Sequence, residues 1–115
     1  MGAGVGQRLP RGARLRSPRD FQRVNRTGVR RASAHFVVVL APARSDGGPK
    51  LGLAVNRRVG NAVARNLVKR RVREWFRQGR AALWPANDWV VIARAGAAEL
   101  DAEMVTTELD RLAER

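Results

Sequence analysis

Cysteine and tyrosine are both absent from this 115-residue chain, and histidine occurs once, at His35. Without cysteine there is no disulfide, thiolate metal site or cysteine nucleophile, and a single histidine excludes a multi-histidine metal cluster. The lack of cysteine is consistent with a reducing, cytoplasmic location. Acidic side chains are also scarce: 10 Asp plus Glu stand against 23 Lys plus Arg, a net charge of +13. This excess predicts a polyanionic partner, because it destabilises a compact chain by self-repulsion.

Long apolar stretches are missing as well. No run approaches the roughly 18 residues of a membrane span, and the N-terminus lacks the apolar centre of a signal peptide, so we expect no membrane partner. The hydrophobic fraction of 44% and the length of 115 residues suit one domain with a modest core. We expect a disordered basic tail over residues 1–13 and a single domain over residues 14–115.

The charges are unevenly distributed along the chain. Residues 1–31 hold nine arginines and one acid, Asp20, and residues 62–80 hold seven bases and one acid, Glu74. Residues 95–115 hold six acids and two bases. A surface shaped for solubility alone would mix both signs. We therefore expect the first two segments to meet the polyanion and the last to form an outer support.

Turn residues and apolar periodicity predict an α+β fold. Ser17 as N-cap, proline at the first helical position and Gly28 as a stop predict a helix. A basic turn follows, and β-rich segments predict strands over residues 35–43, 50–58 and 88–96, the first two paired as a hairpin. Asn61 caps a long helix, and residues 99–115 form a final amphipathic helix. We expect a small two-layer sandwich: a mixed, mainly antiparallel sheet packed with the long basic helix and two other helices. Core-facing residues of the final helix are predicted to be Leu100, Met104, Leu109 and Leu112.

The long helix is apolar on one side and cationic on the next. At 3.6 residues per turn, its apolar stripe consists of Ala64, Val68, Val72, Trp75 and Phe76. A neighbouring cation stripe consists of Arg65, Asn66, Lys69, Arg70, Arg73 and Arg77. Like charges one turn apart destabilise an isolated helix by roughly 0.2–0.5 kcal/mol per pair, and the helix's one acid, Glu74, lies off this stripe. A solvated face is the ordinary alternative, but phosphates would relieve the repulsion, and guanidinium groups bind phosphate through two parallel hydrogen bonds.

No arrangement of side chains predicts catalysis by the protein itself. Asp20 and Glu74 lack a third group that would make them an acid–base pair, and the acids of the final helix do not have the spacing of a calcium loop. These acids are expected on a solvated face, and His35 is expected as a plain surface residue. The large aromatics expected in the core or at helix caps are Trp75, Phe76, Trp84 and Trp89.

The segment GNAVARNLVKRRVREWF, preceded by LGLAVNRRV and DFQRVNRTGVR, resembles the bacterial ribonuclease P protein component family. The resemblance spans residues 14–113, and its centre is formed by Arg65, Asn66, Lys69, Arg70, Arg73 and Glu74. It implies an accessory subunit that binds the ribonuclease P RNA and assists removal of the 5′ leader from precursor transfer RNA. The RNA subunit would perform the hydrolysis, with Mg²⁺ held mainly by RNA. The resemblance also implies a left-handed βαβ crossover, whereas general statistics favour the right-handed form.

The resemblance implies two sets of contacts and no catalytic or metal-binding residue in this chain. The catalytic RNA would be bound by Arg65, Asn66, Lys69, Arg70 and Arg73. The leader would lie in a cleft between the long helix and the sheet, lined by Phe21 and, as a weaker candidate, Phe36. Arginines near the leader phosphates would be Arg57, Arg58 and Arg94.

Three positions depart from the family pattern. Leu67 stands where the family often has arginine, which raises the question of whether Arg71 replaces the lost contact. Asn25 and Val39 stand where relatives can carry aromatic residues. With an aromatic content of 5%, we expect a leader groove that stacks less and hydrogen-bonds more than in other members.

Three other functions share part of this pattern. A structural ribosomal protein would also be small and arginine-rich, and residues 1–13 suit its long basic tails. A DNA-binding module would place the long helix in the major groove, but strands flank this helix, so DNA is not expected as a partner. A protein-only nuclease needs clustered acids for metal ions, and the basic segments have almost none.

Overall fold

The computed structural model of the protein describes residues 13–15, 17–43, 49–79 and 87–114. Its elements are α1 (Pro18–Thr27), β1 (Val29–Ala32), β2 (Phe36–Pro42), β3 (Leu51–Ala54), α2 (Ala62–Gly79), β4 (Asn87–Ala93) and α3 (Ala102–Ala113), with a 3₁₀ turn at Ala97–Glu99. Trp84 and the predicted tail lie outside the described residues, apart from Ala13, whose side chain is buried in the core.

β4 lies inside the sheet, whose strand order is β1-β2-β4-β3. It pairs antiparallel with β2 and parallel with β3, and β1 pairs antiparallel with β2. The α+β class and the mixed, mainly antiparallel sheet are confirmed. The predicted hairpin of residues 35–43 and 50–58 is wrong, because β4 lies between the corresponding strands, β2 and β3. Residues 89–91 of β4 are fully buried, and such an apolar run is more stable with a neighbour on each side.

β1 replaces the basic turn predicted after the first helix. Its four residues, VRRA, are too few and too polar to mark a strand by pattern. As an edge strand, β1 needs only β2 as its partner.

The helix ends confirm the predicted capping residues. The Ser17 hydroxyl accepts a hydrogen bond from the Arg19 N–H at 3.1 Å, and Gly28 follows the last turn of α1. Asn61 Oδ1 accepts from the Ala64 N–H at 2.9 Å and begins α2. α2 then connects the parallel strands β3 and β4. The left hand implied for this crossover stays a prediction.

Helices cover both faces of the sheet. On one face, α1 packs through Val24 against Val39, Ala41 and Val90. On the other face, α2 and α3 enclose the larger core. Its main members are Phe36, Val38, Leu40, Trp89 and Val91 from the sheet, and Val68, Val72, Trp75, Phe76, Val105, Leu109 and Leu112 from the helices. The expected sandwich therefore has a further layer, formed by α1.

The core face of α3 differs in part from the prediction. Leu109 and Leu112 are buried as predicted, and Leu100 packs at the edge of the core. Met104 is 54% exposed, and Val105 is buried in its place. Val105, Leu109 and Leu112 are spaced by four and three residues, so they form one stripe.

Candidate nucleic-acid interface

The cation stripe of α2 faces away from α3. Val68, Val72, Trp75 and Phe76 are buried, which confirms the apolar stripe. Arg71, on the flank of α2 opposite the cation stripe, donates a hydrogen bond to the carbonyl of Leu100, just before α3. In the cation stripe, Asn66 and Arg70 are exposed, and the remaining members are half-buried.

Of the cation stripe, only Arg77 has an acidic partner among the described residues. Its guanidinium forms an ion pair with Glu74, with Arg77 Nε 3.1 Å from Glu74 Oε1. Hydrogen bonds from Arg77 hold the pKa of Glu74 below its usual value, and the same bonds raise the pKa of Arg77. Glu74 therefore reaches the end of the stripe, although it was expected to lie off it. The cations from Arg65 to Arg73 keep their charge unneutralised within the described part of the chain.

Arg71 lies one turn from Leu67 but is engaged within the protein. Its guanidinium is hydrogen-bonded to the Leu100 carbonyl. This bond directs the Arg71 guanidinium toward the start of α3, on the flank of α2 away from the cation stripe. Whether Arg71 replaces an arginine at position 67 stays a prediction.

The α1 face of the sheet has an open part. Strand pairing aligns one residue from each strand in a row, which we call the apolar row: Ala32, Val37, Ile92 and Ala54. The two alanines are exposed, and the two central residues are half-buried. In the next row, Val39 and Val90 are fully buried beneath α1. Position 39 therefore belongs to the core, and an aromatic residue there would not line this surface.

Phe21 lies beside the apolar row. It is half-buried and packs over Gly52, two residues before the exposed Ala54. A Cβ on Gly52 would come 2.6 Å from Phe21 Cζ, so the ring depends on the absence of a side chain there. Asn25 follows one turn later on α1 and is exposed.

Arginines border the same part of the sheet. Arg57 and Arg58 follow β3 in an exposed turn, and Arg94 follows β4. Because β3 and β4 are parallel, their carboxyl ends share one edge of the sheet, as in other parallel sheets. The Arg94 guanidinium donates to the Ser33 carbonyl at 2.9 Å. The apolar row thus has an aromatic ring on one side and cations at its end.

Phe36 belongs to neither surface. It is 0% exposed, on the side of the sheet that α2 and α3 cover. Phe36 packs there with the buried side chains of α2, so it does not line an open surface. Phe21 lies on the face of the sheet opposite α2, and Arg57, Arg58 and Arg94 follow the carboxyl ends of β3 and β4.

His35 and Glu108 differ from the prediction, whereas the other described acids of the final segment are exposed as expected. Glu108 Oε1 lies 2.9 Å from His35 Nδ1, and Glu108 Oε2 accepts from the His35 backbone N–H at 2.8 Å and from the Ser33 hydroxyl. Burial alone would raise the pKa of Glu108, but the hydrogen bonds from Ser33 and His35 outweigh it and hold this pKa below its usual value. Asp110 accepts a hydrogen bond from the Trp75 indole at 2.7 Å. No local spacing signals these contacts, which join distant parts of the sequence.

Within the described ranges, no three His, Asp or Glu side chains converge in a group that could hold a metal ion. The described helices include none with the length and apolarity to cross a membrane.

A helix with unneutralised cations, and an apolar row beside an aromatic ring, define a small α+β nucleic-acid-binding domain. The family model for Ribonuclease P matches residues 9–115. The ribonuclease P protein component of Syntrophobacter fumaroxidans is 47% identical over 97 residues, covering 84% of this chain and 81% of the relative. The chain therefore belongs to the ribonuclease P protein family.

Solved structures agree with this assignment. The ribonuclease P protein of Thermotoga maritima has a TM-score of 0.81 and 35% identity, covering 89% of this chain and 98% of that one. The protein of Staphylococcus aureus has a TM-score of 0.80 and 33% identity, covering 87% and 91%. The chain is thus a protein subunit of ribonuclease P, a ribonuclease that processes the 5′ end of transfer RNA. Its partner is the ribonuclease P RNA.

Proposed function

We propose that this subunit binds the ribonuclease P RNA through the cation stripe of α2 and the 5′ leader of precursor transfer RNA along the apolar row. The RNA subunit performs the phosphodiester hydrolysis that removes the leader, with Mg²⁺ held mainly by RNA. The chain contributes binding and positioning, and it acts in the cytoplasm.

The single observation that carries the RNA contact is that four cations of α2 lack an acidic partner in the described part of the chain. Arg65, Lys69, Arg70 and Arg73 have none among the described residues. Phosphates neutralise such charges and release condensed counterions, which drives association. Asn66 is exposed among them and supplies an amide donor and acceptor for a base edge or a 2′-hydroxyl.

The leader contact is supported by the surroundings of the apolar row. Single-stranded RNA binds where bases can stack on aromatic rings and the backbone can meet cations. Phe21 offers the ring, and Arg57, Arg58 and Arg94 offer the cations. The exposed Asn25, where relatives can carry an aromatic residue, favours hydrogen bonding over stacking.

The two surfaces allow both contacts at once. They lie on opposite faces of the sheet, so one RNA does not block the other. They approach each other at one edge, because α2 begins directly after the turn that holds Arg57 and Arg58. The leader and the RNA subunit would therefore meet at this edge.

Reconstitution tests the proposal. The protein is mixed with a bacterial ribonuclease P RNA at low Mg²⁺, and removal of the 5′ leader is followed beside protein alone and RNA alone. Cleavage at the mature 5′ end only in the mixture is the expected result. Binding without cleavage, even with the RNA from the same source, would instead favour a ribosomal-type protein.

Substitution of Arg70 tests the cation stripe. Arg70→Ala should weaken binding to the ribonuclease P RNA roughly tenfold or more, because a hydrogen bond to a charged group contributes about 1.5–3 kcal/mol. The slope of log K against log salt should fall by roughly 0.7–0.9, the value for one phosphate. Arg70 is exposed, so the thermal midpoint should stay unchanged. The matched control is Arg111→Ala on α3. Unchanged affinity and slope in folded Arg70→Ala would contradict the assignment.

A further inference from the structure

A buried carboxylate lies between α1 and the sheet. Asp88, the second residue of β4, is 2% exposed, and among the described residues it is the only charged residue that is buried. Its side chain projects toward α1, because the next residue, Trp89, belongs to the core on the other face and side chains alternate along a strand. An ionised carboxylate in such a place needs a counter-ion and hydrogen bonds.

One oxygen of this carboxylate holds α1. Asp88 Oδ2 accepts a hydrogen bond from Arg23 Nη2 at 2.7 Å, and Arg23 Nη1 donates to the carbonyl of Pro42, the last residue of β2, at 2.8 Å. Arg23 Nη2 also lies 3.5 Å from Asp20 Oδ1 within α1. A planar guanidinium bound at both terminal nitrogens has a fixed direction. α1 is therefore attached to the ends of β2 and β4 by a side chain two residues after Phe21.

The other oxygen holds β3. Asp88 Oδ1 accepts from the Lys50 backbone N–H at 3.2 Å, and the Lys50 carbonyl accepts from the Trp89 N–H at 2.8 Å. Lys50 directly precedes β3, and Gly52, beneath the Phe21 ring, follows two residues later. The same carboxylate therefore binds the helix that carries the ring and the strand that receives it.

These contacts define orientation more than they add stability. Desolvation offsets much of the attraction within a buried ion pair, and apolar pairs of similar volume often replace one without loss of stability. Arg23 Nε is also buried and lacks an acceptor among the described residues, which is a further cost. Apolar packing is non-directional, whereas hydrogen bonds to both oxygens of Asp88 set the position of α1 relative to β3.

We propose that Asp88 is a positioning residue for the precursor leader: through Arg23 and Lys50 it holds the Phe21 ring over Gly52. The inference rests on the proposed function, because it takes the apolar row beside this ring as the leader surface. It assigns a part in substrate selection to a side chain that is itself buried away from the RNA.

Asp88→Asn tests this role with little change in the shape of the side chain. The amide keeps one acceptor oxygen, so it can accept from Arg23 or from the Lys50 N–H but not from both as the carboxylate does. In the reconstituted holoenzyme, the preference for precursor over mature transfer RNA should fall roughly fivefold or more, as expected for the loss of one base–aromatic stacking contact. Affinity for the ribonuclease P RNA should stay unchanged, because α2 lies on the other face. An unchanged preference would overturn the proposal.

Two further variants separate this role from stability alone. Val105→Ala leaves a cavity in the core on the opposite face, so it should lower the melting temperature and keep the preference. The double variant Arg23→Met, Asp88→Leu should recover the melting temperature lost in Asp88→Asn, but not the preference. A preference that returned together with the melting temperature would show that packing alone places the ring, against the proposal.

A double-mutant cycle tests whether Asp88 acts through the ring. In a Phe21→Leu background, Asp88→Asn should reduce the preference little further, because both changes affect the same contact. Independent losses that multiply would overturn the proposal. If Asp88→Asn does not fold, Arg23→Lys keeps the charge and loses the planar fork. It should then lower the preference in the same way, and an unchanged preference would count against the proposal.

A measurement without RNA distinguishes failure of this inference from failure of the proposed function. In the free protein, the nuclear Overhauser contact between the Phe21 ring and the Gly52 Hα protons should weaken in Asp88→Asn and persist in Val105→Ala. Weakening of this contact, in a protein whose wild-type holoenzyme shows no preference for precursor, would refute the proposed leader contact and leave the positioning of the ring intact. An unchanged Overhauser contact in Asp88→Asn would refute the inference, whatever the preference of the wild type.

Discussion

Phe21 occupies its place beside the apolar row because position 52 has no side chain. Its ring carbons Cζ and Cε1 lie 2.6 and 2.7 Å from the point where a Cβ on Gly52 would be. Leu15 Cδ1 closes the same space at 3.2 Å. At the scale of the residue, a glycine on β3 thus determines where an aromatic ring of α1 meets the leader surface.

Gly52→Ala should move this ring. We expect a loss of roughly 1–3 kcal/mol in the free energy of unfolding, the usual cost of overpacking, measured by urea denaturation. The holoenzyme should also lose its preference for precursor over mature transfer RNA. In the double variant Gly52→Ala, Phe21→Leu, the smaller leucine should restore the free energy of unfolding. The preference for precursor over mature transfer RNA should remain lost. Wild-type stability in the single variant would show that the ring does not depend on Gly52.

At the scale of elements, α3 holds the connection between β1 and β2. Glu108 accepts hydrogen bonds from Ser33 and His35 of this connection. The Ser33 carbonyl accepts a hydrogen bond from the Arg94 side chain, and the His35 carbonyl accepts one from the Arg94 backbone N–H. A helix that shares no surface with the apolar row therefore supports an arginine at its border.

A fall in pH should weaken the hydrogen bonds between Glu108 and the connection of β1 and β2. The pKa of Glu108 is lower in the folded chain than in the unfolded one, so its contribution is present above the unfolded pKa and is lost as pH falls through the folded pKa. Glu108→Gln should cost roughly 1–3 kcal/mol near neutral pH. It should also remove part of the acid-dependent loss of stability, measured by urea denaturation from neutral to acidic pH. Glu103→Gln, exposed on the same helix, is the control. An identical pH dependence in wild type and Glu108→Gln would contradict this role.

At the scale of the whole molecule, charge and surface geometry act together. The net charge is +13, and cations occur both on the α2 stripe and beside the apolar row. Neutralisation of many phosphates at once makes affinity depend steeply on salt. The α2 stripe and the arginines beside the apolar row thus both contribute to the salt dependence of RNA affinity.

This salt dependence is measurable by titration of labelled ribonuclease P RNA. With roughly 6–10 phosphate contacts, affinity should fall about 10³–10⁵-fold between 50 and 200 mM salt. Binding of the RNA to the Arg111→Ala variant should show the same slope. A loss below about tenfold, the size expected for very few contacts, would mean that most of the cations face solvent in the complex.

Local sequence patterns were sufficient to predict the helix-capping residues and the buried side of α2. Ser17, Gly28 and Asn61 cap or end helices as predicted, because these signals act within one turn. The apolar stripe of α2 follows from its 3.6-residue period. The family motif lies on the same helix, and the chain belongs to that family.

Long-range pairing was not readable from the sequence. The partner of β3, the strand character of β1 and the burial of Phe36 depend on how distant strands are ordered. The contact between His35 and Glu108 spans 73 residues. The sequence was sufficient to single out the residues of the cation stripe and Phe21 as candidates for the site. It was not sufficient to predict that they lie on opposite faces of the sheet.

The position of α3 has a consequence for how the complex forms. Asp101, which caps α3, is exposed, as are Glu103 and Asp110 within the helix. The cation stripe of α2 faces away from α3. Charges separated in this way form an electric dipole, and the field of an approaching polyanion exerts a torque on it. The subunit would turn before contact so that the stripe arrives first and α3 trails, which reduces the share of collisions made in an unproductive orientation.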